Sequence, residues 1–313
     1  MDKQFDVIVI GSGASGSNVA YLCRSAGMEV AVIDRAPFGG TCALRGCNPK
    51  KVLHGAADIE ELVDNMGRVL KGSIIMDWQE LIDFKKTFIE KVPWQREKSF
   101  KDNGIAVLKG VANFTGRNTL SVNDEKLSAR FIVIATGSIP RELNFPGAEL
   151  LTTSDIFMEN TRLPGDIIFV GGGYISFEFA HISAKAGAKV KIIHRSNKPL
   201  KHFDSDMVDM ILEATERAGI EFIPNIEPHS IKQKGKKLII DYGKGSFTCE
   251  MAVHGAGRVP DTRMLDLEKG DIDQDHGVLV NEYLQSVSNP AVYAVGDAAS
   301  IGQPLTPVVS MQG

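Results

Sequence analysis

Phe5-Asp6-Val7-Ile8-Val9-Ile10-Gly11-Ser12-Gly13-Ala14-Ser15-Gly16 decides the fold. A short apolar run that ends in Gly-x-Gly-x-x-Gly reads as a buried strand turning into a helix, here expected over Ser17 to Ala26. A second strand is expected over Met28 to Asp34. The glycines leave backbone N–H groups and the positive end of the helix open to a pyrophosphate. Asp34, 18 residues beyond Gly16, falls where a carboxylate accepts hydrogen bonds from an adenosine ribose. A lone glycine fingerprint can be no more than a tight turn, but strand, helix and acid in register point to a dinucleotide.

The same order returns about 160 residues later as a strand over Asp166 to Val170, the turn Gly171-Gly172-Gly173-Tyr174-Ile175-Ser176, a helix over Phe177 to Ala186 and a strand over Lys189 to His194. Serine stands where the third glycine would be, still small enough for helix to pack on strand. The second strand ends without an acid, in the cationic run His194-Arg195-Ser196-Asn197-Lys198-Pro199-Leu200-Lys201. Cations there attract a 2'-phosphate that a carboxylate would repel, which favours NADPH over NADH. A solvated basic turn is the bland alternative.

Between the two units lie a polar helical stretch around Asp77 to Asp102, strand-like runs from Ile105 to Val122, and the run Phe131 to Ala135 ending in Thr136-Gly137. Pro140 and Pro146 mark a crossing into the second unit, Gly257-Arg258-Val259-Pro260 a crossing back, and Ala291 to Val295 a further short strand ending at Gly296-Asp297. The expected fold is α/β, with two doubly wound, Rossmann-like dinucleotide-binding domains. One is formed by residues 1-140 and 263-313, and the other, 141-262, is inserted in it.

Of the 313 residues, 43% are hydrophobic and 24% charged, which is ordinary globular usage and excludes collagen-like, disordered and coiled-coil classes. Thirty-five basic against 39 acidic residues leave a net charge of -4, no global field for nucleic acid or an anionic membrane. The longest apolar runs fall far short of the roughly 20 residues of a membrane helix. The N-terminus lacks a basic n-region and a cleavage site, so a cytoplasmic location is expected.

Four cysteines are too few for a secreted disulfide scaffold. Cys42 and Cys47, however, are close enough to work as a pair. Residues five apart on a regular helix are rotated by about 140 degrees, so a disulfide needs a distorted first turn. Gly46 permits one, and Gly39-Gly40 lets the backbone pass close to a flat cofactor. A helix start with Lys50 and Lys51 downstream favours a thiolate and hence redox exchange. A zinc half-site or two buried thiols are the alternatives; zinc would want a second ligand pair, and no second cysteine pair is present. Cys23 and Cys249 read as small core residues.

The segment Gly39-Gly40-Thr41-Cys42-Ala43-Leu44-Arg45-Gly46-Cys47-Asn48-Pro49-Lys50-Lys51 resembles the FAD-dependent pyridine nucleotide-disulfide oxidoreductases of the glutathione reductase, mercuric reductase and dihydrolipoamide dehydrogenase type. Ala135-Thr136-Gly137, Gly257-Arg258-Val259-Pro260, Gly296-Asp297 and Leu305-Thr306-Pro307 extend the resemblance over essentially the whole chain. It implies FAD on the first fingerprint, held by Gly11, Gly13, Ala14, Ser15, Gly16 and the ribose acid Asp34. Arg35, Gly40, Thr41, Lys51, Ala112, Thr136 and Gly137 join this cofactor set, with Asp297 on the ribityl chain and Thr306 near the pyrimidine. For the nicotinamide cofactor it implies Gly171, Gly173, Ile175, Arg195 and Lys201, with Gly257 also cofactor-binding.

The resemblance further implies a lysine beside flavin N5 paired with Glu178: Lys50 matches it in the glutathione reductase branch and Lys51 in the lipoamide branch, and the choice between the two stays open. Tyr174 matches an aromatic gate over the flavin. NADPH would reduce the flavin, electrons would pass to a Cys42-Cys47 disulfide, and Cys42 would then attack a small-molecule disulfide or related oxidant. Cys47 would be the cysteine nearer the flavin. Glutathione disulfide, another small disulfide and Hg(II) are compatible substrates, and no resident metal is expected. A quinone-type flavin reductase and a non-catalytic nucleotide-binding module are the alternatives.

Two departures from the family pattern stand out. Asn48 replaces an apolar residue, and Arg45 sets a permanent cation beside the pair. None of the seven histidines sits in the family's C-terminal acid/base motif. A longer natural chain, homodimeric in its full form, is therefore expected, with a member that works without that acid/base pair as the alternative.

Overall fold

A computed structural model of the chain describes residues 3–67, 69, 74–302, 308 and 311. In chain order its main elements are β1 (Lys3–Ile10), α1 (Ala14–Ser25), β2 (Val30–Asp34), α2 (Gly40–Arg45), α3 (Cys47–Asn65), α4 (Trp78–Ile89) and α5 (Val92–Asp102). Then come β3 (Ala106–Lys109), β4 (Ala112–Gly116), β5 (Thr119–Val122), β6 (Glu125–Ile134), β7 (Ser138–Pro140) and α6 (Ser154–Phe157). The second half holds β8 (Asp166–Val170), α7 (Tyr174–Lys185), β9 (Lys189–Ile193), α8 (Ser205–Arg217), β10 (Glu221–Ile223), β11 (Ser230–Lys234), β12 (Lys237–Asp241), β13 (Ser246–Cys249), β14 (Met251–His254), β15 (Arg258–Pro260) and β16 (Val292–Ala294).

The chain divides into two compact units: Met1–Cys47, Phe88–Ile139 and Arg258–Gly313 form one, and Asn48–Thr87 with Pro140–Gly257 the other. The first is built on a sheet of order β3-β2-β1-β6-β5-β4, with β16 also on β6. β3, β2, β1, β6 and β16 run parallel, while β4, β5 and β6 form an antiparallel meander. The C-terminal half of β1 is buried because β1 has a strand on either side and apolar residues fill both faces. Ile8, Ile33, Phe114 and Ile132 make one layer of core, and Val9, Val32, Phe38 and Phe100 make another.

The second unit repeats the plan with a parallel sheet of order β10-β9-β8-β14 and adds the antiparallel sheet β11-β12-β13. The duplication extends to the way the first helix of each unit stops. Gly27 and Gly187 both take positive φ, +86° and +93°, and each donates its N–H back into the last turn, to Arg24 O and Ala184 O respectively. That left-handed cap turns the chain directly into the next strand.

The sequence boundaries assign 48–87 to the first domain, whereas the structure groups this segment with the second unit. The reason is apolar: Leu53, Trp78, Leu81 and Ile82 are buried in one cluster with Phe157, Phe169 and Phe177. Polar tails reinforce it, since Trp78 Nε1 donates to Asn160 O (2.7 Å) and the fully buried Lys85 donates to Met158 O (2.7 Å) and Glu159 Oε1 (2.6 Å). The polar stretch expected over Asp77 to Asp102 is two helices, because Pro93 opens α5 in its first turn. Both fingerprint helices start at the fingerprint itself, Ala14 and Tyr174, three residues earlier than read from the sequence.

Candidate active site

In the first unit, α1 begins at Ala14 with Gly13 as its N-cap, and no side chain caps it. Its first backbone N–H groups are therefore available to an anion. A Cβ at Gly11 would collide with the Ala135 carbonyl, one at Gly16 with the Gly11 carbonyl, and one at Gly40 with the Gly13 backbone. The cradle around Gly11, Gly13, Ala14, Ser15, Gly16 and Gly40 is thus formed by close backbone approach. Beside it, Thr136 Oγ1 is buried without a hydrogen-bond partner, an orphaned polar atom facing a demand only a ligand or water can meet. These features fit a bound dinucleotide.

Asp34 ends β2 and is organised by a residue the sequence reading passed over. Ser12 donates to Asp34 Oδ2 from both its N–H (2.9 Å) and its hydroxyl (2.6 Å), and Ser12 Oγ accepts from Gly39 N–H (3.0 Å). One buried hydroxyl thereby ties the fingerprint turn, the acid and the Gly39-Gly40 segment together. Its signal was only its place between the first two glycines. Arg35 forms an ion pair with Asp261 and reaches Met264 Sδ, so its cation is already engaged. Ala112 opens β4 with its side chain in the core.

In the same unit Ser138 Oγ donates to Asp297 Oδ2 (2.7 Å), while Arg258 donates to Ser138 Oγ (3.1 Å) and Ser138 O (2.5 Å). Ser138, another residue not singled out from sequence, relays between Arg258 and the half-buried Asp297. Gly137 O accepts from Asp261 N–H (2.9 Å). Thr306 lies outside the described residues.

Cys42 falls in α2 and Cys47 opens α3, so the helix is broken between them at Gly46. Both cysteines are half-buried, as is Thr41. The break has a steric cause: a Cβ at Gly46 would lie 2.8 Å from Thr41 O and 3.2 Å from Cys42 Cα. Cys47 stands at the N-terminus of a 19-residue helix. Burial raises the thiol pKa of Cys23, and pushes that of Cys249 to about 12; both are held protonated.

One turn past Cys47 on α3, Lys50 Nζ donates to both Glu178 oxygens (2.6 Å each). Glu178 sits one turn beyond Tyr174 on α7, on the same face, and Lys50 Nζ is 5.9 Å from the centroid of the Tyr174 ring. Three expected site residues therefore meet within the second unit. Lys51 is exposed.

The second fingerprint is a backbone cradle too. A Cβ at Gly171 would collide with Gly255, and α7 starts at Tyr174 after the uncapped Gly173, with Ile175 next. The serine at the third glycine position is accommodated by the facing residue. Ser176 is fully buried against Gly255, where any side chain would strike its hydroxyl. In the first unit the small pair is Gly16 and Ala135 instead. Arg195 and Lys201 are exposed. His194 does not belong with them as a cation: its Nδ1 accepts a hydrogen bond from Gly172 N–H (3.0 Å), which a protonated ring could not do. Gly257 ends the return crossing and its carbonyl accepts from Arg141 N–H (3.0 Å).

Among the described residues, no helix is long and apolar enough to cross a membrane, and no group of three or more His, Cys, Asp or Glu could hold a metal ion.

Two duplicated dinucleotide cradles, one followed directly by a cysteine pair across a helix break, define a two-cofactor oxidoreductase. The chain matches the model of the pyridine nucleotide-disulphide oxidoreductases over residues 5–313 and belongs to that family, whose members are flavoprotein enzymes with a pyridine nucleotide as electron donor. It is 31% identical over 314 residues to a glutathione reductase of Burkholderia cepacia, covering 99% of this chain and 70% of that one. A glutathione reductase of Nostoc sp. is 31% identical over 333 residues, covering 100% and 72%. Among solved structures, the HOCl-induced flavoprotein disulfide reductase RclA from Escherichia coli superposes with a TM-score of 0.88 at 25% identity, covering 98% of this chain and 69% of that one.

Proposed function

We propose that this protein is an NADPH-dependent disulfide reductase with FAD on the first fingerprint, NADPH on the second, and Cys42 and Cys47 as its exchanging pair. The observation that carries the reading is the Lys50–Glu178 pair, doubly bonded at 2.6 Å beneath Tyr174, one turn along the helix that Cys47 opens. A bound flavin would supply hydride acceptance from reduced nicotinamide and delivery of the electron pair to a disulfide.

The chain's own residues do the rest. Glu178 fixes the Lys50 ammonium in place through two hydrogen bonds of 2.6 Å. Tyr174, at the mouth of the second cradle, covers or clears the nicotinamide position. Cys42 thiolate attacks a substrate RS–SR, forming Cys42–S–S–R and expelling RS⁻. Cys47 thiolate then attacks Cys42 sulfur, expels the second RS⁻ and restores the Cys42-Cys47 disulfide. Of the two protons taken up by the leaving thiolates, one comes from the cysteine thiol that ionises to attack and one from water; reduction of the Cys42-Cys47 disulfide by the hydride equivalent of NADPH would return one thiolate and one thiol, so the turnover sums to NADPH + H⁺ + RSSR giving NADP⁺ + 2 RSH. A small disulfide of the glutathione type is the substrate class this reading favours.

Anaerobic titration of the purified protein with NADPH, followed by visible absorbance, tests it. A yellow protein that takes up two equivalents per flavin and develops a long-wavelength thiolate-to-flavin band is expected, and Cys47→Ser should keep flavin and NADPH binding while losing disulfide turnover. Bleaching complete after one equivalent, with full disulfide turnover in Cys47→Ser, would overturn the role of the cysteines.

A further inference from the structure

The two fingerprint turns are tied to their sheets in the same way but through different chemistry. In the first unit the N–H of the residue between the first two glycines, Ser12, donates to Asp34 Oδ2 at 2.9 Å. In the second the corresponding N–H, from Gly172, donates to His194 Nδ1 at 3.0 Å. Donor and acceptor are 22 residues apart in both cases, and each acceptor stands at the end of the second strand, β2 or β9. His194 thus occupies the place that the ribose carboxylate occupies in the first unit and makes its hydrogen bond to the loop. We infer that His194 is the specificity-determining positioning residue of the second site: as an uncharged stand-in for the carboxylate, it holds the fingerprint loop while leaving the ribose edge open to a 2'-phosphate. This rests on the reading of the second unit as a pyridine nucleotide site.

The hydrogen bonds settle the state of the ring. Nδ1 accepts, so its lone pair is on that nitrogen and the proton is on Nε2, which lies 2.9 Å from Ser196 Oγ and 3.2 Å from Lys198 O. The ring packs against the loop it holds, since a Cβ at Gly172 would come within 2.9 Å of His194 Cγ and 2.8 Å of Pro199 Cβ. The groups facing it are the Phe222 ring from β10, with centroids 6.3 Å apart, and the cations of Arg195 and Lys201. Burial first, and then Lys201 and Arg195, hold its pKa below the ordinary histidine value.

A carboxylate in this place would make the same bond to Gly172. It would also put a full negative charge beside two exposed cations, offsetting them and repelling a 2'-phosphate. A neutral acceptor separates the two tasks. The loop is secured, and Arg195 and Lys201 keep their charge for the ligand.

The test is calorimetric binding of two probes that differ only in the 2'-phosphate, adenosine 2',5'-bisphosphate and adenosine 5'-monophosphate, to the flavin-loaded protein. His194→Asn offers Oδ1 in the place of Nδ1 without charge, His194→Asp offers the same shape with charge, and His194→Leu offers no acceptor. The wild type should prefer the bisphosphate. Asn should keep that preference within about threefold, whereas Asp should cut it by about tenfold or more. Leu should weaken both probes by a similar factor. An Asp variant with the wild-type ratio, or an Asn variant that loses the ratio as far as Asp does, would overturn the role of His194 and leave the nucleotide site standing. Binding of neither probe by the wild type would overturn the nucleotide assignment and this inference with it.

Discussion

Gly46 is the residue on which the cysteine pair depends. It stands where a Cβ would press on Thr41 O at 2.8 Å and on Cys42 Cα at 3.2 Å, so only a bare backbone lets α2 close and α3 restart within one residue. Neither contact is with a flexible side-chain end that could move aside. Gly46→Ala is therefore expected to push the two cysteine-bearing turns apart, at a cost of about 1–3 kcal/mol in stability. Urea denaturation measures that cost. The functional readout is the NADPH titration, in which the variant should bleach its flavin and fail to reduce the pair. The cysteines, Gly46 and the fingerprint glycines were legible from sequence because each acts through its own covalent nature. Ser12 and Ser138 were not, since a serine reveals itself only by the partner it bonds.

At the scale of elements, α4 shows how a helix is claimed by one side of a fold. Its apolar face is Trp78, Leu81 and Ile82, and in the midst of that face Lys85 is fully buried. The lysine is not an error of patterning. Its stem packs as hydrocarbon and its ammonium caps the end of α6 at Met158 O and Glu159 Oε1. Lys85→Met keeps the stem and removes the cap. Because Glu159 is half-exposed and can return to water, the loss is chiefly the orphaned Met158 carbonyl, about 1–3 kcal/mol. A larger loss in thermal or chemical denaturation would mean that the ion pair itself carries the contact. The sequence marked this region as helical but not where it would dock, because an amphipathic face specifies an apolar partner without naming it.

Across the whole molecule, acid should act first on the second unit. His181 is held neutral there by burial, with its Nε2 at 3.0 Å from Thr215 Oγ1, and His194 is held neutral as the acceptor for Gly172. Both folded pKa values lie below the unfolded value of 6.5. The unfolded chain then binds more protons than the folded one in the window below 6.5, so stability rises with pH there. The contribution is fully present above that value and is lost as pH falls through the folded values. Melting temperatures measured between about pH 7.5 and 5, above the main carboxylate titrations, should drop on the acid side, and less steeply in His181→Gln. An unchanged slope in that variant would assign the acid sensitivity elsewhere.

The sequence by itself determined the class of this protein: two glycine fingerprints between strand and helix, an acid at the end of the strand that follows the first, a cysteine pair across a glycine, and a parallel α/β frame for each unit. These are local statements, because phosphate binding and thiol exchange need particular residues at particular spacings along one stretch of chain. Only the tertiary structure decided that 48–87 packs with the second unit, that Lys50 is the lysine that reaches Glu178, that Ser138 stands between Arg258 and Asp297, and that His194 is an uncharged acceptor among cations. Each of these turns on burial or on a partner more than 20 residues away. Neither charge state nor partnership at that range is written in a spacing; both follow from which atoms the fold brings within hydrogen-bonding distance and how much water it leaves around them.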